Sequence, residues 1–129
     1  MKPFKKKIFI VGDLAVFVQK LKKADDGVKD FSGFVCNILD KGARHNVYWF
    51  AGLNQDSIME ISVEKSYSLY VKDKVGAHLG GNAQDQRLMQ FPNLPYAVTS
   101  KKMKPGIALL SAHEGDETDM ITIPLLQTE

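Results

Sequence analysis

Two short apolar runs constrain the fold of this chain more than any other feature of its sequence. Residues 8–11 (Ile-Phe-Ile-Val) and 47–53 (Val-Tyr-Trp-Phe-Ala-Gly-Leu) are rich in β-branched and aromatic side chains, and polar residues follow each run. Short, continuously apolar runs are typical of strands that are buried on both faces of a parallel sheet. We therefore predict two parallel strands whose carboxyl ends deliver polar side chains to one edge of the sheet.

Helical periodicity fills the segment between the two predicted strands. In its first part, apolar residues recur at positions i, i+3, i+4 and i+7, namely Leu14, Phe17, Val18 and Leu21. This helix is predicted to end at the basic pair Lys22 and Lys23, where cations favour the helix dipole. A second helical period over residues 28–39 is followed by Lys41 and Gly42, a basic last turn and a glycine cap. The order strand, two helices, strand indicates an α/β fold.

The middle of the chain predicts shorter elements. We expect a short helix near residues 57–60. A third strand is predicted within residues 61–71, because apolar side chains alternate there at Tyr67, Leu69 and Val71. Residues 76–81 predict a glycine-rich loop.

The last part of the chain predicts a closing hairpin. Residues 106–111 and 120–126 have strand composition and flank the polar turn 113–119. Pro124 lacks a backbone N–H and would keep the last strand at an edge of the sheet. Since the chain has neither an internal repeat nor a linker-like stretch, residues 1–129 are predicted to form one domain.

Composition narrows the class of protein. A chain of 129 residues, 44% of them hydrophobic, can bury a core without disulfides. Its apolar runs are far shorter than the roughly 20 residues of a membrane-spanning helix, and its basic start lacks the pattern of a secretory signal. We therefore expect a cytosolic location. The single cysteine, Cys36, is predicted to be a small buried hydrophobic residue rather than a nucleophile.

Charge and histidine spacing argue against two kinds of site. The formal net charge is only +2, so nucleic acid is not an expected partner. The histidines lie far apart, at His45, His78 and His113, and predict no metal site. The acidic turn lacks the register of a calcium loop and is interpreted as a solvated tip; its members are Glu114, Asp116, Glu117 and Asp119.

Asp13 is the most specific candidate for a functional residue. It follows the first predicted strand, as the aspartate of a Walker B strand does beside Mg²⁺ and a nucleotide. The alternative interpretation is that Asp13 is the N-cap of the following helix. The chain contains no phosphate-binding loop of the form G-x-x-x-x-G-K-[ST], so it is not expected to hydrolyse ATP alone. We predict no catalytic residue in this chain.

A second candidate site lies in the proline-rich segment 91–96. Phe91, Leu94 and Tyr96 are large apolar residues in a segment that predicts turns. They are candidates for the lining of a groove that binds an apolar peptide. The alternative is that this loop packs onto its own domain.

The order of these elements resembles the C-terminal half of an FtsK/SpoIIIE-like ATPase domain. The most specific part is residues 80–96 (GGNAQDQRLMQFPNLPY), followed by Lys104-Pro105-Gly106. This stretch is similar to the last ATPase-like domain of EssC/EccC-type coupling proteins of type VII secretion. The resemblance covers residues 6–126 and implies a degenerate domain of three-layer, RecA-like α/β fold. It would lack the phosphate loop and have a mostly parallel central sheet, helices on both faces and a C-terminal hairpin.

The resemblance also assigns positions to the nucleotide site of that family. Asp13 falls on the Walker B aspartate, but Leu14 stands where the catalytic Glu is usual. Asn54 falls on a polar sensor of the γ-phosphate. Ala43 falls where active motors often carry an interface Arg, with Arg44 one residue later. These positions imply nucleotide-site remnants at Asp13, Asn54 and Arg44.

The implied function is recognition or regulation rather than catalysis. In that family, such domains are thought to receive the C-terminal signal of a secreted helical-hairpin substrate and to influence the other ATPase domains of the same motor. The family uses ATP and Mg²⁺, but this chain alone is expected to need no cofactor. The resemblance implies attachment to the cell membrane through the full-length secretion protein. A homo-oligomer could form through the open sheet edge.

Two rival functions remain open at this point. In the first, the chain completes an ATP-hydrolysing site with a separate half that carries the phosphate loop, using Asp13 and Asn54. In the second, it is part of a DNA translocase, which the balanced charge disfavours.

Overall fold

The computed structural model describes residues 5–111 and 118–124, which form a mixed α/β structure with two sheets. The chain divides into two compact units, Met1–Lys72 and Asp73–Glu129, and each is described by itself. The interpretation of the chain as one degenerate ATPase domain stays a prediction. The described helices are short, and none is long and apolar enough to cross a membrane.

The described residues of unit 1 form a two-stranded sheet and four α-helices. In chain order its elements are β1 (Lys7–Val11), α1 (Leu14–Ala24), α2 (Phe31–Lys41), a 3-10 helix (Gly42–His45), β2 (Val47–Ala51), a second 3-10 helix (Gln55–Ser57), α3 (Ile58–Ile61) and α4 (Lys65–Val71). β1 and β2 pair in parallel, from Lys7 opposite Val47 to Val11 opposite Ala51. The predicted parallel pair with two intervening helices is confirmed.

Helix α1 forms because one stripe of its surface is apolar. Leu14, Val18 and Leu21 are 2 to 5% exposed and share one face, as their spacing predicts. Ile61 of α3 is fully buried in the same unit. The basic residues Lys22 and Lys23 occupy the last turn of α1, where they complement the helix dipole.

The inner face of the parallel sheet carries an aromatic cluster. Phe9 of β1 stacks on Trp49 of β2, with 4.4 Å between ring centroids. Phe17 of α1 and Tyr70 of α4 contact the same indole at 6.3 and 6.1 Å. Two helices therefore cover this face of the sheet.

The other face of the parallel sheet is uncovered within residues 5–111 and 118–124, which corrects the prediction that both strands are buried on both faces. Side chains alternate along a strand, so four large residues point away from the aromatic cluster. Their exposed fractions are 55% for Ile8, 82% for Ile10, 36% for Tyr48 and 61% for Phe50. We call these four residues the outer face. Continuous apolar composition marks both faces as apolar but does not determine which of them is covered.

The prediction of a third strand within residues 61–71 is wrong, because α3 and α4 occupy this region. Ser66, Tyr67 and Tyr70 lie at helical spacing, and the first two are buried. In so short a segment the spacing of Tyr67 and Val71, at i and i+4, also fits one face of a helix, and packing decides between strand and helix.

Unit 2 is built on a three-stranded antiparallel sheet in the order β3, β4, β5. Its elements are β3 (Ala77–Gly81), a 3-10 helix (Ala83–Asp85), α5 (Tyr96–Thr99), β4 (Met103–Ser111) and β5 (Thr118–Thr122). The predicted hairpin is confirmed as the antiparallel pair β4 and β5, and Pro124 follows the edge strand β5. The tip, with His113, Glu114, Asp116 and Glu117, lies outside the described residues, whereas Asp119 lies in β5.

The prediction of a glycine-rich loop at residues 76–81 is also wrong, because most of this segment forms β3. Leu79 pairs with Ala108 of β4, and the register shifts before Gly81 pairs with Met103. Gly80 and Gly81 have φ of 63° and 66°, values at which glycine has no steric penalty. The glycines therefore form an irregular strand end rather than a free loop.

The arrangement of the strands replaces the predicted single, mostly parallel central sheet. Among residues 5–111 and 118–124, only β1 and β2 are parallel, and the other three strands form a separate antiparallel sheet. β4 pairs with β3 on one side and with β5 on the other, so it is the central strand of the sheet of unit 2. Helices on both faces of the parallel sheet are not observed in this part of the chain.

Candidate functional site

The carboxyl ends of β1 and β2 are tied together by backbone hydrogen bonds. Gly52 donates its N–H to the carbonyl oxygen of Val11 at 2.9 Å, and Leu14 donates its N–H to the carbonyl oxygen of Gly52 at 2.8 Å. These bonds extend the parallel pairing past the strands and fix the start of α1 against the end of β2. Residues 12–14 and 52–54 therefore share one edge of the sheet, where open α/β sheets place their binding sites.

Asp13 is the N-cap of α1. Its backbone is extended, with φ −137° and ψ 109°, and its carboxylate accepts the N–H of Val16 at 3.1 Å. The cap satisfies one of the donors that the first turn of a helix leaves free. The next residue, Leu14, is 2% exposed and belongs to the core of unit 1. The N-cap interpretation of Asp13 is thus confirmed.

Asn54 has a similar local role after β2. It is the N-cap of the 3-10 helix Gln55–Ser57, and its side-chain oxygen accepts the N–H of Asp56 at 3.1 Å. Asp13 and Asn54 are exposed and follow adjacent parallel strands. The structure therefore brings these two predicted residues to the same edge of the sheet, each with a side-chain oxygen bound to a nearby backbone N–H.

Arg44 lies at the opposite end of the sheet. It is exposed and belongs to the 3-10 helix that precedes β2, and β2 begins at Val47. Five strand residues separate the two ends, which is about 16 Å at 3.3 Å per residue. Arg44 is therefore not brought together with Asp13 and Asn54 within this chain.

The three residues of the second candidate site, in the proline-rich segment of unit 2, differ in their burial. Phe91 and Leu94 are half-buried and pack against the core of unit 2, which consists of Ala83, Met103 and Leu109. Phe91 also contacts the ring of His78, with 6.3 Å between centroids. Tyr96, at the start of α5, is 79% exposed. Phe91 and Leu94 thus follow the alternative of packing onto their own unit, and Tyr96 alone of the three projects into solvent.

Sequence reasoning did not identify a row of apolar residues across the antiparallel sheet, of which the two outer members are exposed. Leu79, Ala108 and Ile121 lie in register on neighbouring strands, and Leu79 and Ile121 are 65% and 38% exposed. Ala108 between them is fully buried. The apolar run at residues 107–110 of β4 and the pair Met120 and Ile121 of β5 were the available signal, but they do not show that β4 adjoins Leu79, in the segment predicted as a loop.

Titratable groups elsewhere are engaged locally. The salt bridge and hydrogen bond from Lys72 lower the pKa of Asp40, at an Nζ to Oδ1 distance of 2.9 Å. Burial raises the pKa of the Cys36 thiol, which is free and 6% exposed, as predicted for a buried hydrophobic residue. Within the described ranges, no group of three or more His, Cys, Asp or Glu side chains could hold a metal ion.

A shallow pocket lies in unit 1 at the last turns of α1, away from Asp13 and Asn54. It is lined by Gln19, Lys22, Lys23 and Asp26.

Comparison with known proteins adds no assignment, because no protein-family model, no curated protein and no solved structure matches this chain.

Proposed function

We propose that this chain is a noncatalytic substrate-recognition or regulatory segment of the membrane-associated coupling ATPase of type VII protein secretion. The family assignment rests on the sequence resemblance, above all on residues 80–96. The proposal includes a RecA-like lineage for unit 1, a cytoplasmic location and attachment to the membrane through the full-length secretion protein. Its regulatory partners would be the other ATPase domains of the same motor.

Leu14 is the observation that carries the noncatalytic part of this proposal. It follows Asp13 at the position where the resembling family usually has its catalytic Glu, and its side chain is 2% exposed. An aliphatic side chain cannot take a proton from water. The carboxylate of Asp13 is also occupied as a helix cap. This arrangement supports a structural role for the strand end.

The apolar row of unit 2, with its two exposed outer residues, supports a recognition role. Leu79 and Ile121 present apolar surface on both sides of Ala108, and Tyr96 adds an exposed aromatic ring in the same unit. Apolar surface rimmed by polar residues is typical of sites that bind peptides. The proposed ligand is the apolar C-terminal signal of a secreted helical-hairpin protein.

Calorimetry tests the noncatalytic part. Titration of the chain with ATP and Mg²⁺ is expected to give no binding heat. Micromolar affinity for ATP would contradict the proposal.

Peptide binding tests the recognition part. The probes are synthetic C-terminal peptides of small helical-hairpin proteins that are encoded beside type VII secretion motors. Leu79→Asp is expected to weaken binding at least about tenfold, since it places a charge within the apolar row. Val75→Asp is the matched control, because Val75 is 47% exposed in the same unit and lies outside the row. Equal binding by both variants, or no binding of any probe to the unmodified chain, would contradict a site at this row.

A second candidate function is favoured by the shared position of Asp13 and Asn54. Both lie at the carboxyl edge of adjacent parallel strands, where a nucleotide held by a separate half with a phosphate loop would sit. Mixing the chain with such a half would then give ATP turnover that Asp13→Asn abolishes. Asn retains the cap, so lost turnover would report lost Mg²⁺ binding rather than unfolding. Asp26→Asn, in the turn after α1, is the control.

A further inference from the structure

The outer face of the parallel sheet is an apolar surface without a cover in the described part of the chain. It consists of Ile8, Ile10, Tyr48 and Phe50, which lie in register as Ile8 opposite Tyr48 and Ile10 opposite Phe50. The opposite face of the same two strands is packed against helices through the aromatic cluster. Parallel sheets in folded proteins are normally covered on both faces. This surface therefore has the character of an interface.

The area of the outer face fits a contact with a second face of the same size. Its residues are 36 to 82% exposed. At about 200 Å² for a large apolar side chain, they expose roughly 500 Å² in total. Two such faces packed together would bury about 1,000 Å², which is the lower bound for a specific protein interface. Tyr and Phe are also among the residues enriched at the centres of interfaces.

The charges at the two ends of the sheet identify the occupant. The amino end is basic, with Lys6 just before β1, Lys7 as its first residue and Arg44 before β2. Lys6 lies over the ring of Tyr48, with 5.5 Å from its Nζ to the ring centroid, and so borders the outer face. The carboxyl end is acidic, with Asp13 after β1 and Asp56 after β2.

Two copies of a sheet with one basic and one acidic end are complementary in charge when the strands of one copy run opposite to those of the other. A two-fold axis that lies midway between the two outer faces, parallel to the sheets and perpendicular to the strands, places β1 over β1 and β2 over β2, with their directions reversed. Lys6, which borders the outer face, then faces Asp13 of the second copy, and Arg44 faces Asp56. A two-fold axis along the strands would instead place basic end over basic end, which like-charge repulsion disfavours.

We infer that the outer face docks a second copy of this chain, face to face and with antiparallel strands. The inference does not depend on the proposed function, because it rests on unit 1 alone. It differs from assembly through the open strand edges, since the contact is made by side chains of one face. The dimer would be a small β-sandwich with the outer faces as its core.

Sedimentation equilibrium of the full chain over a range of concentrations tests the dimer. The unmodified chain is expected to show a reversible monomer–dimer equilibrium. Phe50→Asp is expected to raise the dimer dissociation constant at least about tenfold, because it places a charge in the apolar contact of both copies. Val63→Asp is the matched control, since Val63 is 87% exposed in unit 1 outside the outer face, and it should dimerise normally. Circular dichroism melts confirm that both variants fold.

Charge reversal tests the orientation of the two copies. Arg44→Glu alone and Asp56→Arg alone are each expected to weaken the dimer, and the double variant should restore it. A double variant weaker than either single variant would overturn the antiparallel arrangement. A chain that stays monomeric, or a dimer that survives Phe50→Asp, would overturn the docking itself. The first result would leave the face to a helix of another protein, and the second would assign the contact to another surface.

Discussion

The carbonyl oxygen of Gly12 lies 2.7 Å from the position that a β-carbon on Gly52 would occupy. This close approach exists because the chain leaves β1 and β2 side by side, with Gly52 bonded to both Val11 and Leu14. Any side chain at Gly52 would push the two strand ends apart. The geometry of the candidate nucleotide-site remnant thus depends on a backbone contact that only glycine permits.

We expect Gly52→Ala to destabilise unit 1 by about 1–3 kcal/mol, because the new methyl group would overlap a backbone oxygen that cannot move independently. Urea unfolding followed by Trp49 fluorescence measures the effect, since Trp49 is the single tryptophan. Gly12→Ala is the control, because a β-carbon there meets nothing within 4 Å. Equal midpoints for Gly52→Ala and the unmodified chain would show that the strand ends are free to separate.

Asp13 should contribute to stability as a helix cap. Asp13→Ala removes the acceptor for the Val16 N–H and is expected to cost about 1 kcal/mol. Asp13→Asn keeps an acceptor and should cost much less. The measurement is the free energy of unfolding in urea, with Asp26→Ala in the exposed turn after α1 as the control. If Asn were as destabilising as Ala at position 13, the negative charge rather than the cap would be the stabilising feature.

Helix α1 and the parallel pair were predictable because several local signals agree. Asp13 as N-cap, the spacing of Leu14, Val18 and Leu21, and the basic last turn all indicate the same helix. The two apolar runs are separated by enough residues for a parallel connection. No tertiary information was needed for these elements.

The exposure of the outer face was not predictable, and neither was β3. All five residues of β2 are apolar, so a pattern of alternation that could separate a covered from an uncovered face is missing. β3 contains two glycines and forms through its pairing with β4, which is a tertiary effect. Likewise, a proline-rich segment does not reveal that Phe91 turns inward while Tyr96 turns outward.

Asp25 should stabilise the start of α2 in a pH-dependent way. Its carboxylate accepts both the hydroxyl of Ser32 and the backbone N–H of Ser32, the latter at 2.8 Å. These bonds lower the pKa of Asp25 below its usual value of 3.8, and the side-chain bond has the largest effect. Their stabilisation is therefore present above pH 3.8 and is lost as the pH falls through the lower pKa of the folded state.

Thermal melts of Asp25→Ala should accordingly show a lower melting temperature than the unmodified chain at pH 7. The difference should shrink as the pH falls below 3.8. Ser32→Ala tests the partner, and the double variant should lose less than the sum of the two single variants. A difference in melting temperature that persists unchanged in acid would rule out the ionised carboxylate as its source.

Cys36 should react slowly with thiol reagents in the folded chain. It is 6% exposed, and burial raises the pKa of its thiol, so little of the nucleophilic thiolate is present or accessible near neutral pH. Labelling with a chromogenic disulfide reagent at pH 8 is expected to speed up sharply when urea unfolds the chain. Labelling of the folded chain as fast as that of a free cysteine would contradict the packing of α2.

The hydroxyl group of Tyr70 should be dispensable for stability. Its ring packs edge-on against Phe17 and Trp49, but its hydroxyl is buried without a hydrogen-bond partner among the described residues. Removing an unsatisfied polar group while keeping the ring avoids its desolvation cost. Tyr70→Phe is therefore expected to leave the free energy of unfolding at pH 7 unchanged or to raise it by up to about 1 kcal/mol.

The same substitution should change the response of unit 1 to alkali. Burial raises the pKa of Tyr70 from 10 to about 12, so between these values the unfolded chain ionises at this residue while the folded chain stays neutral. Ionisation of the unfolded chain favours unfolding, and the unmodified chain should lose stability relative to Tyr70→Phe as the pH rises from 10 to about 12. Urea unfolding at pH 9, 10.5 and 11.5 measures the difference. Parallel losses in the two proteins across this range would show that the phenol is already open to water in the folded chain.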